Sequence, residues 1–494
     1  MPPLAALADI RAALGGLLPE AVLLAGIVGV LLLDLLRRPE GTRLVSGFTA
    51  ATLLAAAAAL AAQPTAAPFF QQMLVTDAPA RTGGVLSAAA ALLVVALGAA
   101  SGPKARPHGP AAALVLAVVL GAFLLTRTVH GLVLVLAVEL LSLPTYALVL
   151  TRRNDPAAAR AALNYLLLGA VSTGALLYGC SLLYGLTGTL HFAADGFWLH
   201  LRQAPPAPVV LALGLVLAGL LFKLGAAPLH FWAPDAYQAA PLPVVLLLST
   251  APKVAAVMAL WRLHAAATGL LPTPAAAAVG GLFTGAALLS LLVGTLGALA
   301  QPAVRRLLAY SSIAQAGFLL LAIRGAGAAG PGPVLLYATF LLMANGCCFA
   351  AVRFFERRTH GSAPLPAVSS QELFAGLGRR YPVPAVALTL GLVALTGLPP
   401  TVGFSAKLLA FTALWQADAS LLGRVLLGAG VLATAASLFF YLRLPYWLFL
   451  KEAPESAVVD SPPDPVGVAL SVGLALLTLA AFLRVDWVMA LLTR

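Results

Sequence analysis

Residues 221–256 read LFKLGAAPLHFWAPDAYQAAPLPVVLLLSTAPKVAA, and this stretch decides the fold. It is apolar enough to lie in a bilayer, yet it carries Lys223 and Lys253, each flanked by hydrocarbon side chains. Between them stand Gly225, Pro228, Pro234, Pro241 and Pro243, a series that a continuous helix does not tolerate. A lysine at the centre of a membrane helix costs about 3 kcal/mol on insertion scales. Two such costs in one short stretch imply that the amines are paired, hydrated or used.

The rest of the chain has the same character. Of its 494 residues 61% are hydrophobic and 9% charged, whereas soluble domains carry about 25% charged residues. The unit to count is therefore an apolar run of about 20 residues rather than a globular domain. The formal charge of +12 does not mark a nucleic-acid binder, because the basic residues lie in short loops between apolar runs. Cys180, Cys347 and Cys348 fall inside such runs without CxxC spacing, which points away from disulfides, zinc and iron–sulfur clusters. The first run, 17–36, is long enough to span and is expected to stay in place rather than be cleaved.

Fourteen spanning segments are expected, at 17–36, 44–62, 83–100, 111–126, 129–150, 162–184, 208–240, 243–262, 275–299, 304–323, 333–352, 383–416, 421–449 and 466–490. The fold class is thus an all-α polytopic membrane protein. The polar stretch 191–203 is expected to lie on the membrane surface. Loop charges orient the segments. Seventeen basic residues follow odd-numbered segments: Arg37, Arg38, Arg43, Lys104, Arg106, Arg152, Arg153, Arg160, Arg305, Arg306, Arg353, Arg357, Arg358, Arg379, Arg380, Arg443 and Lys451. Nine lie on the other side: Arg11, Arg81, Arg127, Arg202, Arg262, Arg324, Arg424, Arg484 and Arg494. This bias puts both termini outside and supports an even number of spans.

Two segments are overlong and broken by Gly and Pro: 208–240 at Gly225-Ala-Ala-Pro228, and 383–416 at Thr396-Gly-Leu-Pro-Pro400. They are five segments apart, so they cross in opposite directions, and each places a lysine beside its break: Lys223 and Lys407. Paired broken helices of opposite orientation are the sequence pointer to an inverted-repeat transporter. Segments four to eight (111–262) and nine to thirteen (275–450) form the expected repeats, with 1–110 before them and a last helix in 466–494. Unpaired backbone groups at such breaks survive only beside a wet or protein-enclosed cavity.

The intramembrane charges complete the pattern: Glu139 in segment five, Lys223 in seven, Lys253 in eight and Lys407 in twelve. Desolvation disfavours the charged form of each group while mutual attraction favours it, so a Glu–Lys pair of variable spacing can load and release a proton. Pro252 removes a backbone hydrogen bond beside Lys253, with Ser249 and Thr250 placed to bridge the gap, and Pro144 should loosen the helix of Glu139. His230 reads either as a proton relay or as a local hydrogen-bonding residue. Asp34 reads as an interfacial partner of Arg37-Arg38, Asp235 as a turn or cap, and the Trp and Tyr of 231–237 as belt residues. Cys347-Cys348 reads as packing. These residues predict proton movement through a hydrated track.

Three stretches resemble a known family: Pro228-Leu-His-Phe-Trp-Ala-Pro-Asp-Ala-Tyr237 with Ala240-Pro-Leu-Pro-Val244, Arg306-Leu-Leu-Ala-Tyr-Ser-Ser-Ile-Ala-Gln-Ala-Gly317, and Glu139-Leu-Leu-Ser-Leu-Pro-Thr-Tyr146. They are similar to the antiporter-like membrane subunits of respiratory complex I, bacterial NADH–quinone oxidoreductase, over about residues 110–450. The His-Phe-Trp form with Tyr237 looks most like the N branch. Lys407 sets the chain apart from the M branch, which has a glutamate there. The L branch would continue beyond Arg494 with an added helix. The resemblance implies fourteen helices, two inverted repeats and a channel using Glu139, Lys223, Lys253 and Lys407. Gln238, where members often have an acidic residue, and Pro144 depart from the pattern.

The resemblance also implies no cofactor in this chain, with FMN, iron–sulfur clusters and the quinone site in partner subunits. Implied partners are the membrane-arm subunit M, the small subunits K, J and A, and membrane lipid, with no nucleic acid; the implied site is a bacterial inner membrane. Two rivals use other assemblies or chemistry. One is a subunit of a multi-subunit cation/proton antiporter or membrane-bound hydrogenase. The other, a transferase for lipid-linked substrates, would need clustered acidic or His loop residues, whereas Glu452, Glu455, Asp460 and Asp464 are scattered.

Overall fold

The computed structural model describes residues 14–36, 42–99, 109–150, 155–327, 330–360, 371–452 and 464–493. Several charges of the orientation tally (Arg11, Arg37, Arg38, Lys104, Arg106, Arg152, Arg153 and Arg494) lie outside the described residues, as do Glu455 and Asp460.

Helices α1 (Leu18–Leu35), α2 (Thr42–Ala61), α3 (Ala78–Ala99), α4 (Gly109–Arg127) and α5 (Gly131–Val149) come first. Then follow α6 (Pro156–Thr187), the short α7 (Asp195–Gln203), α8 (Pro206–Leu224), α9 (Trp232–Ala239), α10 (Leu242–Ser249) and α11 (Ala251–Leu270). The second half holds α12 (Thr273–Ala300), α13 (Val304–Gly325), α14 (Gly332–His360), α15 (Leu377–Arg380), α16 (Pro382–Thr396), α17 (Val402–Ala417), α18 (Leu421–Leu450), α19 (Pro465–Leu483) and α20 (Val485–Leu492). Among the described residues 13 spans are long and apolar enough to cross a bilayer, with α10 and α11 counted as one span. The broken pair α16–α17 supplies the fourteenth expected segment.

Local chemistry sets the helix ends. Asp155 caps α6 by accepting from Ala157 N at 2.9 Å, and Asp464 caps α19 by accepting from Gly467 N at 3.1 Å. Both expected breaks are present. Helix α8 ends at Gly225 (φ +70°) and α16 at Gly397 (φ +85°), left-handed positions that suit glycine. A third break was not expected. Segment eight divides at Thr250, because Pro252 starts a new helix in α11 and has no N–H to continue the old one. The Ser249 and Thr250 hydroxyls do not span this gap as expected: both donate back to Leu246 O in α10, at 2.9 and 2.6 Å. Helix α5, in contrast, runs unbroken through Pro144.

The α10–α11 span, α13 and α14 are almost wholly enclosed, while α1, α18 and α19 turn most of their apolar surface outward. Close helix approach rests on small residues. A Cβ on Gly317 of α13 would come within 2.9 Å of Leu291 N in α12, and one on Gly121 of α4 within 2.8 Å of Leu141 N in α5.

One end of the bundle carries a small β layer that hydropathy does not reveal. Strands Ala66–Phe69 and Leu74–Thr76 pair antiparallel, Leu74 bridges Thr128, and His130 bridges His191.

Charge placement corrects part of the loop reading. Arg127, Arg305 and Arg353 are buried, not loop residues. Arg127 pairs with Glu20 at 2.6 Å, Arg305 with Glu356 at 2.7 Å, and Arg353 with Asp464 at 3.5 Å. Mutual neutralisation lets α14 extend well past the expected end at 352. Asp34 accepts from Gly109 N at 3.0 Å, while its expected partners lie outside the described residues. Asp235 falls in the first turn of α9 and pairs with Arg306 at 3.0 Å. Trp232 and Tyr237 are buried inside the protein rather than forming an interfacial belt. The cysteines are free and buried, with Cys347 Sγ donating to Ala387 O at 3.1 Å.

Candidate proton pathway

Lys223, the penultimate residue of α8, is 1% exposed. Its Nζ has no hydrogen-bond partner among the described residues and lies 5.7 Å from the Tyr146 ring centre and 5.8 Å from that of Tyr165. Cation–π attraction of this kind holds an ammonium without fixing it to one acceptor. Tyr165 stacks on Trp232 at 4.1 Å, and Trp232 Nε1 donates to Phe222 O at 3.1 Å. The Tyr146 hydroxyl is likewise buried, close to Ser142. A buried ammonium without a hydrogen-bond acceptor among the described residues is uncommon in a packed core.

Glu139 sits on α5 and is half-buried, not enclosed as the lysines are. It lies near enough to act on Lys223 electrostatically, but no ion pair joins the two among the described residues. Its neighbours along the helix, Leu132, Leu136 and Leu143, are each more than half exposed, so the carboxylate opens onto an apolar outer face.

Lys253 stands one residue after Pro252, in the first turn of α11. Its Nζ donates to Ser312 O at 3.0 Å, and a methyl placed on Gly225 would lie 3.7 Å from that nitrogen. The ammonium therefore rests against the carboxyl end of α8, where the helix dipole favours a cation. Lys407 repeats the arrangement at the second break. Its Nζ donates to Thr396 O, the last residue of α16, at 2.8 Å and to Thr434 Oγ1 at 3.4 Å, and lies 4.1 Å from the Phe318 ring centre. The break in segment seven thus serves Lys253, across the bundle, as well as Lys223 beside it in sequence.

Helix α13 joins the two lysines. Ser312 takes the Lys253 ammonium on its carbonyl and meets Tyr237 Oη at 2.9 Å through its hydroxyl. Ser311 is hydrogen-bonded to the Tyr441 hydroxyl. Gln315 Nε2 donates to Tyr441 Oη at 3.3 Å and to Leu395 O at 2.9 Å, and Tyr337 Oη donates to Gln315 Oε1 at 2.6 Å. Leu395 precedes Thr396, the acceptor of Lys407, so side chains and backbone form a polar axis from one break to the other. Sequence reading quoted Ser311, Ser312 and Gln315 only as part of a motif. The signal was their spacing, one polar face at i, i+1 and i+4 within the largely apolar stretch 307–323. Tyr337 and Tyr441 gave no such signal, since tyrosines on apolar helices usually pack.

His230 is buried, its ring 4.5 Å from that of Phe231, and its Nδ1 has no hydrogen-bond partner among the described residues. Among the described residues no group of three or more His, Cys, Asp and Glu side chains is arranged to hold a metal ion.

A family model described as NADH:quinone oxidoreductase/Mrp antiporter, TM, matches residues 130–437. The chain is 38% identical over 356 residues to NADH-quinone oxidoreductase subunit N of Geobacter metallireducens, covering 72% of this chain and 71% of that one. It is 33% identical over 386 residues to NADH-quinone oxidoreductase subunit N 2 of Chloroherpeton thalassium, covering 76% and 72%. A chain of respiratory complex I from Thermus thermophilus superposes with a TM-score of 0.78 at 32% identity, over 96% of this chain and 98% of that chain. A chain of the Mrp complex from Dietzia sp. superposes with a TM-score of 0.77 at 21% identity, over 96% of each chain, a likeness of fold.

Proposed function

Because the chain belongs to the NADH:quinone oxidoreductase/Mrp antiporter transmembrane family, we propose that it is the N-type membrane-arm subunit of a bacterial NADH–quinone oxidoreductase and moves protons across the membrane. The observation that carries this reading is the polar axis linking Lys253 to Lys407 through Ser311, Ser312 and Gln315, with Lys223 beside it in an aromatic enclosure. Buried ionisable groups in a membrane bundle are costly unless they serve transport.

In this scheme Glu139 and Lys223 form the input. A proton arriving near Glu139 changes the charge felt by Lys223, which faces the Tyr146 and Tyr165 rings. Lys253 is the central carrier. Its ammonium is stabilised by the Ser312 carbonyl and the end of α8, so displacement of either changes its affinity for a proton. Lys407 exchanges protons with the outer side, while His230 is a relay or a local hydrogen-bonding group. Segments 111–262 and 275–450 act as two inverted five-helix repeats, each pivoting about a broken helix.

Electron transfer would take place in other subunits, which hold FMN, iron–sulfur clusters and quinone, and this chain would act as the translocase part of the enzyme. The Glu139 face of α5 supports docking onto membrane-arm neighbours, which we assign as subunit M and the small subunits K, J and A. The protein would lie in the inner membrane with both termini on the outer side. The test is Lys223→Ala in the assembled complex reconstituted in lipid: fewer protons are expected per quinone reduced. Unchanged pumping would refute the assignment. A subunit of a cation/proton antiporter or membrane-bound hydrogenase is the weaker alternative, supported by likeness of fold.

A further inference from the structure

We propose that His130 and His191 form an acid-sensitive clamp that caps α5 while both rings are neutral and releases its first turn when they are protonated. His130 is the N-cap of α5, and its Nδ1 accepts from Leu132 N at 3.2 Å. That bond requires an unprotonated Nδ1, because an imidazolium has donors only. Protonation would remove the cap and set a positive charge on the positive end of the helix dipole.

The His191 ring stands edge-on to that of His130, 4.4 Å away between centres, so a second positive charge there would repel the first. His191 Nδ1 is buried and has no hydrogen-bond partner among the described residues. Burial, then the neighbouring His191, holds the His130 imidazole below its ordinary value, so the capped form prevails near neutrality.

The other charged or titratable groups around this layer have contacts of their own, and only Cys180 among those named touches the capped turn. Arg127 binds Glu20 and Arg262 binds Asp77. His200 Nδ1 contacts Thr187 O at 3.1 Å, and Cys180 Sγ lies 4.0 Å from Gly131 O. Two backbone bonds, Gly131 N to Leu190 O at 2.9 Å and Phe192 N to Val129 O at 2.8 Å, close the clamp. Parting the rings would strain both, and nine residues on, about 13 Å along the helix, stands Glu139. On the functional reading above, the clamp faces the side to which protons are delivered, so accumulated acid would loosen the input helix and slow pumping.

The test is hydrogen exchange on the assembled complex in lipid nanodiscs, corrected for the intrinsic pH dependence of exchange. Protection of the Gly131–Leu134 amides is expected to fall about tenfold between pH ~7.5 and ~5. In His130→Asn, whose amide oxygen accepts without titrating, protection should stay flat. In His191→Gln the midpoint should move to higher pH, since the repelling neighbour is gone. Identical profiles in the wild-type and His130→Asn complexes would overturn the clamp. The exchange readout does not depend on proton translocation, so it separates failure of the clamp from failure of the functional reading, which the Lys223 variant tests.

Discussion

Replacing Arg305 with alanine tests how the second half of the bundle is held around the polar axis. Arg305 is 2% exposed and grips Glu356 with two bonds of 2.7 Å, from Nε and Nη2. Its Nη1 donates to Ala240 O at 2.8 Å and Gln238 O at 3.3 Å, the carbonyls at the end of α9. Removing one member of a buried ion pair costs about 3–5 kcal/mol, because the other charge is left without a partner. Each orphaned carbonyl adds about 1 kcal/mol. The expected destabilisation of Arg305→Ala is therefore about 5–7 kcal/mol, enough to threaten a protein of ordinary stability. The double variant Arg305→Met with Glu356→Leu removes both charges and should recover about 3 kcal/mol of that loss. Reversible unfolding of the purified chain in mixed micelles, with Arg305→Met and Glu356→Leu also made singly, measures all four corners of that cycle. A coupling energy below about 0.5 kcal/mol would refute the claim that the pair acts as a unit. Because α9 carries Tyr237, which bonds Ser312 beside Lys253, the single variant should also lower proton pumping more than electron transfer.

Three other outcomes are expected. Gln315→Leu strips Tyr337 of its acceptor and breaks the axis between Tyr441 and Leu395, so it should cost about 1–3 kcal/mol and lower proton yield in vesicles while quinone reduction continues. Gly397→Ala forces a side chain onto a left-handed backbone position at about 1–2 kcal/mol, and its Cβ would lie 2.6 Å from Lys407 Cδ. Displacement of Lys407 should then depress pumping as far as Lys407→Ala does, and a fully active Gly397→Ala complex would contradict this. At Asp418, burial pushes the carboxyl upward, but hydrogen bonds from Ser420 and the Arg324 guanidinium outweigh it and hold the group below its ordinary value. A depressed folded-state value means that Asp418 contributes stability above the ordinary carboxylate range and loses it as pH falls through the folded value. Melting curves should show Asp418→Asn destabilised at neutral pH, with its deficit against wild type vanishing in acid.

The sequence by itself determined the membrane class, the expected spans and the two glycine-proline breaks. These follow from composition, run length and backbone stereochemistry, which are local properties. The cost of a buried amine also singles out Lys223, Lys253 and Lys407 from sequence alone. Only the tertiary structure decided what those amines meet. Lys253 rests against a helix end that lies 28 residues earlier, at Gly225, and Lys407 binds the last carbonyl of the preceding half-helix. Hydropathy misplaced Arg127, Arg305 and Arg353 because it treats each charge alone, whereas packing neutralised them against Glu20, Glu356 and Asp464 from distant helices. It also passed over Tyr337 and Tyr441, whose hydroxyls become part of the axis only when α13, α14 and α18 close around Gln315. Half-burial of Glu139 is likewise a tertiary result: helix periodicity gives its face, and packing decides which faces are covered.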